Sequence, residues 1–199
     1  MSDFFELVLG QRACRKFTDE PVDDQDLARI LDAATHAPSA ENRQPWEFVV
    51  VRDPELRTNI LDFAEKAWHG GGRAFAEERL APGLMAEVDH GIAGGGFRSA
   101  PVLIVVSADT QRGLPMTVGS SIFPATQNLL LAAAALGLGS ALTTISLGFT
   151  AELQEMLGLP EHVVPQAVIP IGHPERKLGP PKREPFAAHT HRDRFGNPW

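Results

Sequence analysis

The sequence predicts an α+β fold, and three observations carry that prediction. Residues 102–107 form an uninterrupted apolar run, as a strand buried on both faces requires. Leu27, Ile30, Leu31 and Ala34, and again Leu56, Ile60, Leu61 and Ala64, recur at helical spacing. Helical and strand signals then intermix without a regular repeat, which suits a mixed sheet with helices packed around it. At 199 residues the length favours one domain, 1–199, with room for a substantial core.

In chain order, Asp3 or Ser2 caps a short helix with Phe5, Val8 and Leu9 on one face, ending at Gly10. The following Gln11-Arg12-Ala13-Cys14-Arg15-Lys16-Phe17 spaces Arg12 and Arg15 so that, in a turn, both guanidinium groups can converge on one anion. A solvated basic loop is the plain alternative. Asp23 caps the helix carrying Leu27 and Ile30, and Pro38 stops it. Ala37-Pro38-Ser39-Ala40-Glu41-Asn42-Arg43-Gln44-Pro45-Trp46 then joins helix to strand with more hydrogen-bonding chemistry than a connection needs, a common mark of function. Local turn bonds made by Ser39 and Asn42 would also account for it.

Asp53-Pro54 reads as an N-cap followed by proline in the first turn of the next helix. Two glycine triplets, Gly70-Gly71-Gly72 and Gly94-Gly95-Gly96, bracket helical fragments around 75–80 and 84–90. Such runs make mobile or tightly turned backbone, so residues 67–97 are expected to form a lid over a site. A helix from Thr117 or Pro124 to Leu136, apolar on most faces, is expected at the core, with Gly137 ending it. Residues 140–145 read as a strand, Thr150 as the cap of a short helix stopped near Gly158, and 163–171 as a strand that Pro165 and Pro170 bend or confine to an edge. From 173 to 199 the chain is rich in proline and charge with little periodicity, an extended arm with Phe186, Phe195 and Trp199 as anchors.

Composition narrows the function. An apolar fraction of 43% with 22% charged residues describes an ordinary soluble globular protein. A formal net charge of -7 argues against nucleic acid as a partner and against an anionic membrane surface. One cysteine permits no intrachain disulfide, and the acidic N-terminus lacks a secretory pattern, so a cytoplasmic protein is expected. His69-Gly70-Gly71-Gly72 matches an esterase oxyanion loop, but no G-x-S-x-G elbow accompanies it. Neither glycine triplet makes a dinucleotide fingerprint, and only His189 and His191 are closely spaced among seven histidines, without a metal-ligand pattern. Cys14 lies beside arginines that could favour thiolate, yet no base is evident, and it reads as a packing residue.

Three of these segments, Arg12-Ala13-Cys14-Arg15-Lys16-Phe17, the 37–46 stretch and Gln127-Asn128-Leu129-Leu130-Leu131, together resemble the FMN-dependent nitroreductase family. The resemblance also takes in Ala100-Pro101 with its strand, Leu136-Gly137-Leu138-Gly139, and Ile171-Gly172-His173-Pro174. It implies a nitroreductase-like mixed or antiparallel sheet surrounded by helices, an extended C-terminal arm wrapping a partner, and a homodimer with shared flavin sites. It implies reduction of nitroaromatics, quinones or similar small-molecule electron acceptors by NADH or NADPH through bound FMN. Arg12, Ala13 and Arg15 would line the phosphate and pyrimidine side, with Lys182 or Arg183 completing the phosphate clamp. Pro38, Ser39, Ala40 and Asn42 would meet the flavin from the other subunit, and Leu142, Thr143 and Thr144 would approach its ring. No side chain is expected to act as an obligatory acid or base. Gln11 and Ala13 depart from the arginine and serine common in the family, which removes two contacts to the cofactor. A noncatalytic flavin sensor or carrier, a dehalogenating or flavin-cleaving relative, and a deazaflavin enzyme stay open as alternatives.

Overall fold

The computed structural model describes residues 3–199. Among them a four-stranded sheet has the order β1-β2-β4-β3, built from β1 (Trp46–Val51), β2 (Val102–Asp109), β3 (Gly139–Ser140) and β4 (Val163–Gly172). Every ladder pairing is antiparallel, and the mixed character survives only as a parallel bridge between Ala13 and Ser140.

The apolar run of β2 is buried throughout because it faces two cores. Val102, Ile104, Val106 and Ala108 pack with Leu27, Ile30 and Ala34 of α2 (Asp24–Thr35) and with Ile122, Ala125, Leu129 and Ala133 of α6 (Val118–Ala135). Leu103 and Val105 point the other way, toward Ile60, Leu61 and Ala64 of α3 (Pro54–Ala67) and Leu153 of α7 (Thr150–Leu157). Alternation along the strand thus splits one hydrophobic segment between two helical layers.

The caps follow the expected chemistry. Asp3 accepts from Phe5 N at the start of α1 (Phe4–Gly10), Asp23 from Gln25 N, and Asp53 from Leu56 N, at 3.3, 2.8 and 2.7 Å. The alternative cap, Ser2, lies outside the described residues. Gly137 and Gly158 close α6 and α7 with φ of 77° and 65°. Asn128 Nδ2 donates to Ala33 O at 3.1 Å and locks α6 to α2.

Several expectations are corrected. The strand over 140–145 reduces to Gly139–Ser140, a single antiparallel bridge from Thr143 to Val168, and a 3₁₀ turn from Ile145 to Phe149. The chain runs beside β4 there without continuous pairing. Thr150 does not cap α7; it is the helix's first residue, and its hydroxyl donates to Leu147 O at 2.7 Å. Nor is β4 an edge strand, since β2 and β3 flank it. Pro165 is tolerated inside the sheet because the register slips between Val106 and Ser107 there, and Pro170 because the short β3 begins pairing only at Ile171.

At this slip Ser107 Oγ is buried and has no hydrogen-bond partner among the described residues. Ser107→Ala removes an unsatisfied hydroxyl, so it is expected to leave stability unchanged or raise it by about 1 kcal/mol. A denaturant midpoint lowered by the equivalent of more than about 1 kcal/mol would contradict this.

Candidate active site

The segment bearing Arg12, Ala13 and Arg15 is laid between β3 and the start of the C-terminal arm. Cys14 N donates to Ser140 O at 2.8 Å, Phe17 bridges Pro174, and Thr18 N donates to His173 O at 2.9 Å. Lys16 and Glu175 pair at 2.8 Å. Packing under this segment leaves no room for side chains on its neighbours: a Cβ on Gly139 would meet Cys14 at 2.7 Å, and one on Gly172 would meet Pro101 at 2.6 Å. Cys14 is buried and its Sγ donates to Lys16 O at 3.2 Å. Burial pushes its thiol pKa up despite the adjacent arginines, so it stays a neutral packing group.

Beyond the segment, Thr143 and Val168 exchange backbone hydrogen bonds at 3.1 and 2.9 Å and fix the course of 141–144. Two adjoining cavities result. One, of about 270 Å³, is lined by Arg12, Ala13, Arg15, Leu142 and Arg183 together with Gln11 and Leu130. The other, of about 400 Å³, shares Arg15 and Leu142 and adds Thr143, Thr144, Trp68, Phe75 and Phe97. A cationic compartment therefore opens onto an apolar, aromatic one.

Of the twelve residues singled out from the sequence, seven line these cavities: Arg12, Ala13, Arg15, Leu142, Thr143, Thr144 and Arg183. Lys182 lines neither, and its carbonyl accepts from Arg183 Nη1 at 3.0 Å. Pro38, Ser39, Ala40 and Asn42 also line neither. Their loop is held against the other core: Ala40 N donates to Ser121 Oγ at 3.2 Å, and Ser39 Oγ accepts from Gln44 N at 3.1 Å. Glu41, Asn42 and Gln44 all have left-handed backbone, with φ of 54°, 54° and 49°. Three such non-glycine residues in four positions store strain of the kind concentrated at functional sites. Trp46 is buried in the core.

Residues 67–97 supply the wall opposite Arg15. After α3 the glycine triplet at 70–72 sits in a π-helical turn, Trp68–Gly72, followed by α4 (Arg73–Glu77) and α5 (Pro82–Ile92). Trp68 Nε1 donates to Asp89 Oδ1 at 2.9 Å, and Arg73 Nε reaches the same oxygen at 3.1 Å. Arg98 binds Asp62 and Glu65, each at 2.6 Å, and ties the end of the segment to α3. The bond from the Trp68 indole, aided by Arg73, holds the Asp89 carboxyl below the usual aspartate range. A lowered folded-state pKa stabilises the fold above the unfolded value of about 4 and ceases to do so as pH falls through the folded value. Asp89→Asn is therefore expected to lower thermal stability near neutrality and to flatten the decline below about pH 4. Wild-type and variant melting curves that stay parallel from pH 7 to pH 3 would contradict the assignment.

Sequence reasoning missed Glu87, on α5, whose Oε2 lies 3.1 Å from Arg12 Nη2 and 3.6 Å from Arg15 Nη1. The two guanidinium groups do converge on one anion, and in this structure it is a carboxylate of the chain. With 75 residues separating Arg12 from Glu87, no local pattern could have revealed the pair. The aromatic lining has a weak signal, since Phe97 directly follows the second glycine triplet and Trp68 stands two residues before the first.

The model of the nitroreductase family matches residues 8–173. The chain is 32% identical to an NADH dehydrogenase of Thermus thermophilus, covering 89% of this chain and 90% of the relative. It is 31% identical to the NADPH-flavin oxidoreductase of Vibrio harveyi, covering 98% and 75%. The solved NADPH:FMN oxidoreductase of Vibrio harveyi in complex with NAD+ superimposes with a TM-score of 0.75 at 26% identity, over 97% of this chain and 78% of that one. The family match over residues 8–173, with relatives 31% and 32% identical across most of the chain, leads to one conclusion: the chain belongs to the nitroreductase family.

Proposed function

We propose that the chain is an FMN-dependent oxidoreductase, driven by NADH or NADPH, that reduces nitroaromatics, quinones or similarly electron-poor compounds. The observation that carries this reading is the convergence of Arg12, Arg15 and Arg183 on a cavity that opens into an aromatic compartment. A planar ring with a phosphorylated tail needs both surroundings, charge-assisted donors at one end and apolar walls at the other. The NADPH-flavin and NADPH:FMN oxidoreductases among its relatives support the same cofactor and reductant.

In this reading Arg12, Arg15 and Arg183 hold the phosphate, and Lys182 adds charge from the neighbouring position. Ala13 offers backbone to the pyrimidine side, where Gln11 and Ala13 give fewer donors than arginine and serine would. Leu142, Thr143 and Thr144 flank the ring. When bound there, FMN would supply the redox chemistry between the nicotinamide and the acceptor, which would use the one pocket in turn. Arg15 reaches both compartments, so its positive charge is positioned to favour negative charge on the ring. Trp68, Phe75 and Phe97 keep water from the reacting face. Residues 67–97 act as the cover on the substrate side.

The reading includes a homodimer in which Pro38, Ser39, Ala40 and Asn42 meet the flavin of the other subunit. Unpartnered apolar surface supports it. Phe4, Phe5 and Leu9 of α1 are 65%, 67% and 69% exposed, and Phe195 of the arm is 91% exposed. Within the arm Phe186 and Trp199 meet edge to face, leaving the pair available to a second chain. A cytoplasmic setting fits the single free thiol. Among the described residues no helix is long and apolar enough to cross a membrane.

Anaerobic addition of NADH or NADPH to the flavin-loaded protein tests the function. Rapid bleaching of flavin absorbance, reversed by a quinone, is the expected result. Flavin inert to both nucleotides would contradict it and favour a sensor or carrier.

A further inference from the structure

We propose that Glu87 is a built-in competitor for the cofactor's phosphate and so sets how strongly the site prefers a phosphorylated flavin over its unphosphorylated form. The inference rests on the phosphate assignment of Arg12 and Arg15 given above. Glu87 Oε2 accepts a hydrogen bond from Arg12 Nη2 at 3.1 Å and stands 3.6 Å from Arg15 Nη1, so one carboxylate oxygen faces the charge of both guanidinium groups. Those groups line a third, smaller cavity of about 120 Å³ together with Glu87, His90, Lys16, Glu175 and Arg176. A phosphate held by the same arginines meets like charge unless Glu87 swings away.

Its neighbours leave that movement open. The Glu87 side chain is 40% exposed and, among the described residues, its one hydrogen bond is to Arg12, with Arg15 as a second charge beside it. The arginines are better enclosed, at 27% and 22% exposure, and the backbone of their segment is pinned to Ser140 and His173. The carboxylate is therefore the partner that yields. Because Glu87 belongs to α5, phosphate binding also undoes one of the contacts holding that helix to the Arg12–Arg15 segment. Phosphate occupancy and the seating of the substrate-side cover are coupled through one side chain.

Glu87→Gln keeps the shape and removes the charge, so the test is the affinity of wild type and variant for FMN and for riboflavin, which lacks the phosphate. The variant is expected to bind FMN about fivefold more tightly, the scale of a partly exposed ion pair, and riboflavin with unchanged affinity. A purely structural role for Glu87 would move both flavins together, and that result, or unchanged FMN affinity, would overturn the proposal. Thermal stability in graded inorganic phosphate separates this inference from the cofactor assignment. If neither protein binds flavin but phosphate stabilises the variant more than wild type, the competition stands and the cofactor reading falls. If phosphate stabilises both equally, or neither, the competition is overturned.

Discussion

Replacing Arg15 with alanine is expected to weaken FMN binding by roughly tenfold to a hundredfold, as loss of a charge-assisted hydrogen bond of ~1.5–3 kcal/mol implies. Among the described residues Arg15 is the one cation that lines both the phosphate compartment and the aromatic one. Burial lowers its pKa and Glu87 opposes the shift, yet a guanidinium remains charged, so its loss removes a full positive charge from the site. Its aliphatic stem also packs against Gly91, where a Cβ would meet Arg15 Cδ at 3.0 Å, so the variant loses some packing as well. Arg183→Ala separates the two effects. Arg183 is exposed and its guanidinium bonds only the neighbouring Lys182 carbonyl among the described residues. That variant should keep its melting temperature while FMN binding weakens by about fivefold. Equilibrium titration of both variants with FMN checks the pair; unchanged affinity in both would refute the phosphate clamp.

The second large effect is structural. Gly96→Ala should destabilise the protein by about 3 kcal/mol or more, the upper range for forcing atoms into a filled space. A Cβ at Gly96 would fall well inside van der Waals contact of the Arg15 carbonyl oxygen, and within 3.0 Å of both Gly91 Cα and the His90 carbonyl oxygen. All of these are backbone atoms, which cannot swing aside as a side chain would. Gly96 N and Phe97 N also donate to His90 O and Gly91 O, at 3.0 and 2.8 Å, so the turn cannot drift outward without losing both bonds. For a domain of this size the melting temperature should fall by about 6–12 °C. The neighbouring Gly95 has open space at its Cβ position but a φ of 79°, so Gly95→Ala should cost only the left-handed backbone penalty, about 1–2 kcal/mol. Equal losses for the two variants would show that the close approach at Gly96 is not what matters.

That contrast also marks where the sequence was legible. The triplet Gly94-Gly95-Gly96 announces unusual backbone, but a single chain cannot distinguish a hinge from a point where two backbones touch. At Gly96 it is close packing against Arg15. Elements whose cause is local were readable: Asp23 and Asp53 as caps, the helical spacing of Ile30 and Ile60, the apolar run of β2, and Gly137 and Gly158 as stops. Residues 140–145 misled because their composition favours a strand while the pairing depends on β4, a remote segment, and after Ser140 returns only as the isolated bridge of Thr143 to Val168. Pro165 and Pro170 read as an edge signal because proline lacks a donor, yet a register slip and a two-residue neighbour strand provide the needed gaps in the interior.

The site divides in the same way. Arg12 and Arg15 were readable as an anion pair from their spacing, and the family resemblance joined them to Leu142 and Arg183 across the chain. Glu87 was not, because its role exists only when α5 folds over that segment. The strain at Glu41, Asn42 and Gln44 was equally hidden, since none of the three is glycine and nothing in their order requires positive φ.

An arginine-lined cavity that holds FMN for redox work makes the protein a coloured flavoprotein. The most direct measurement is the visible absorption spectrum of the purified protein, followed by chromatography of whatever denaturation releases. A flavin spectrum with FMN in the supernatant is the predicted result. A colourless protein that also fails to take up added FMN would contradict it and leave the family fold without its usual chemistry.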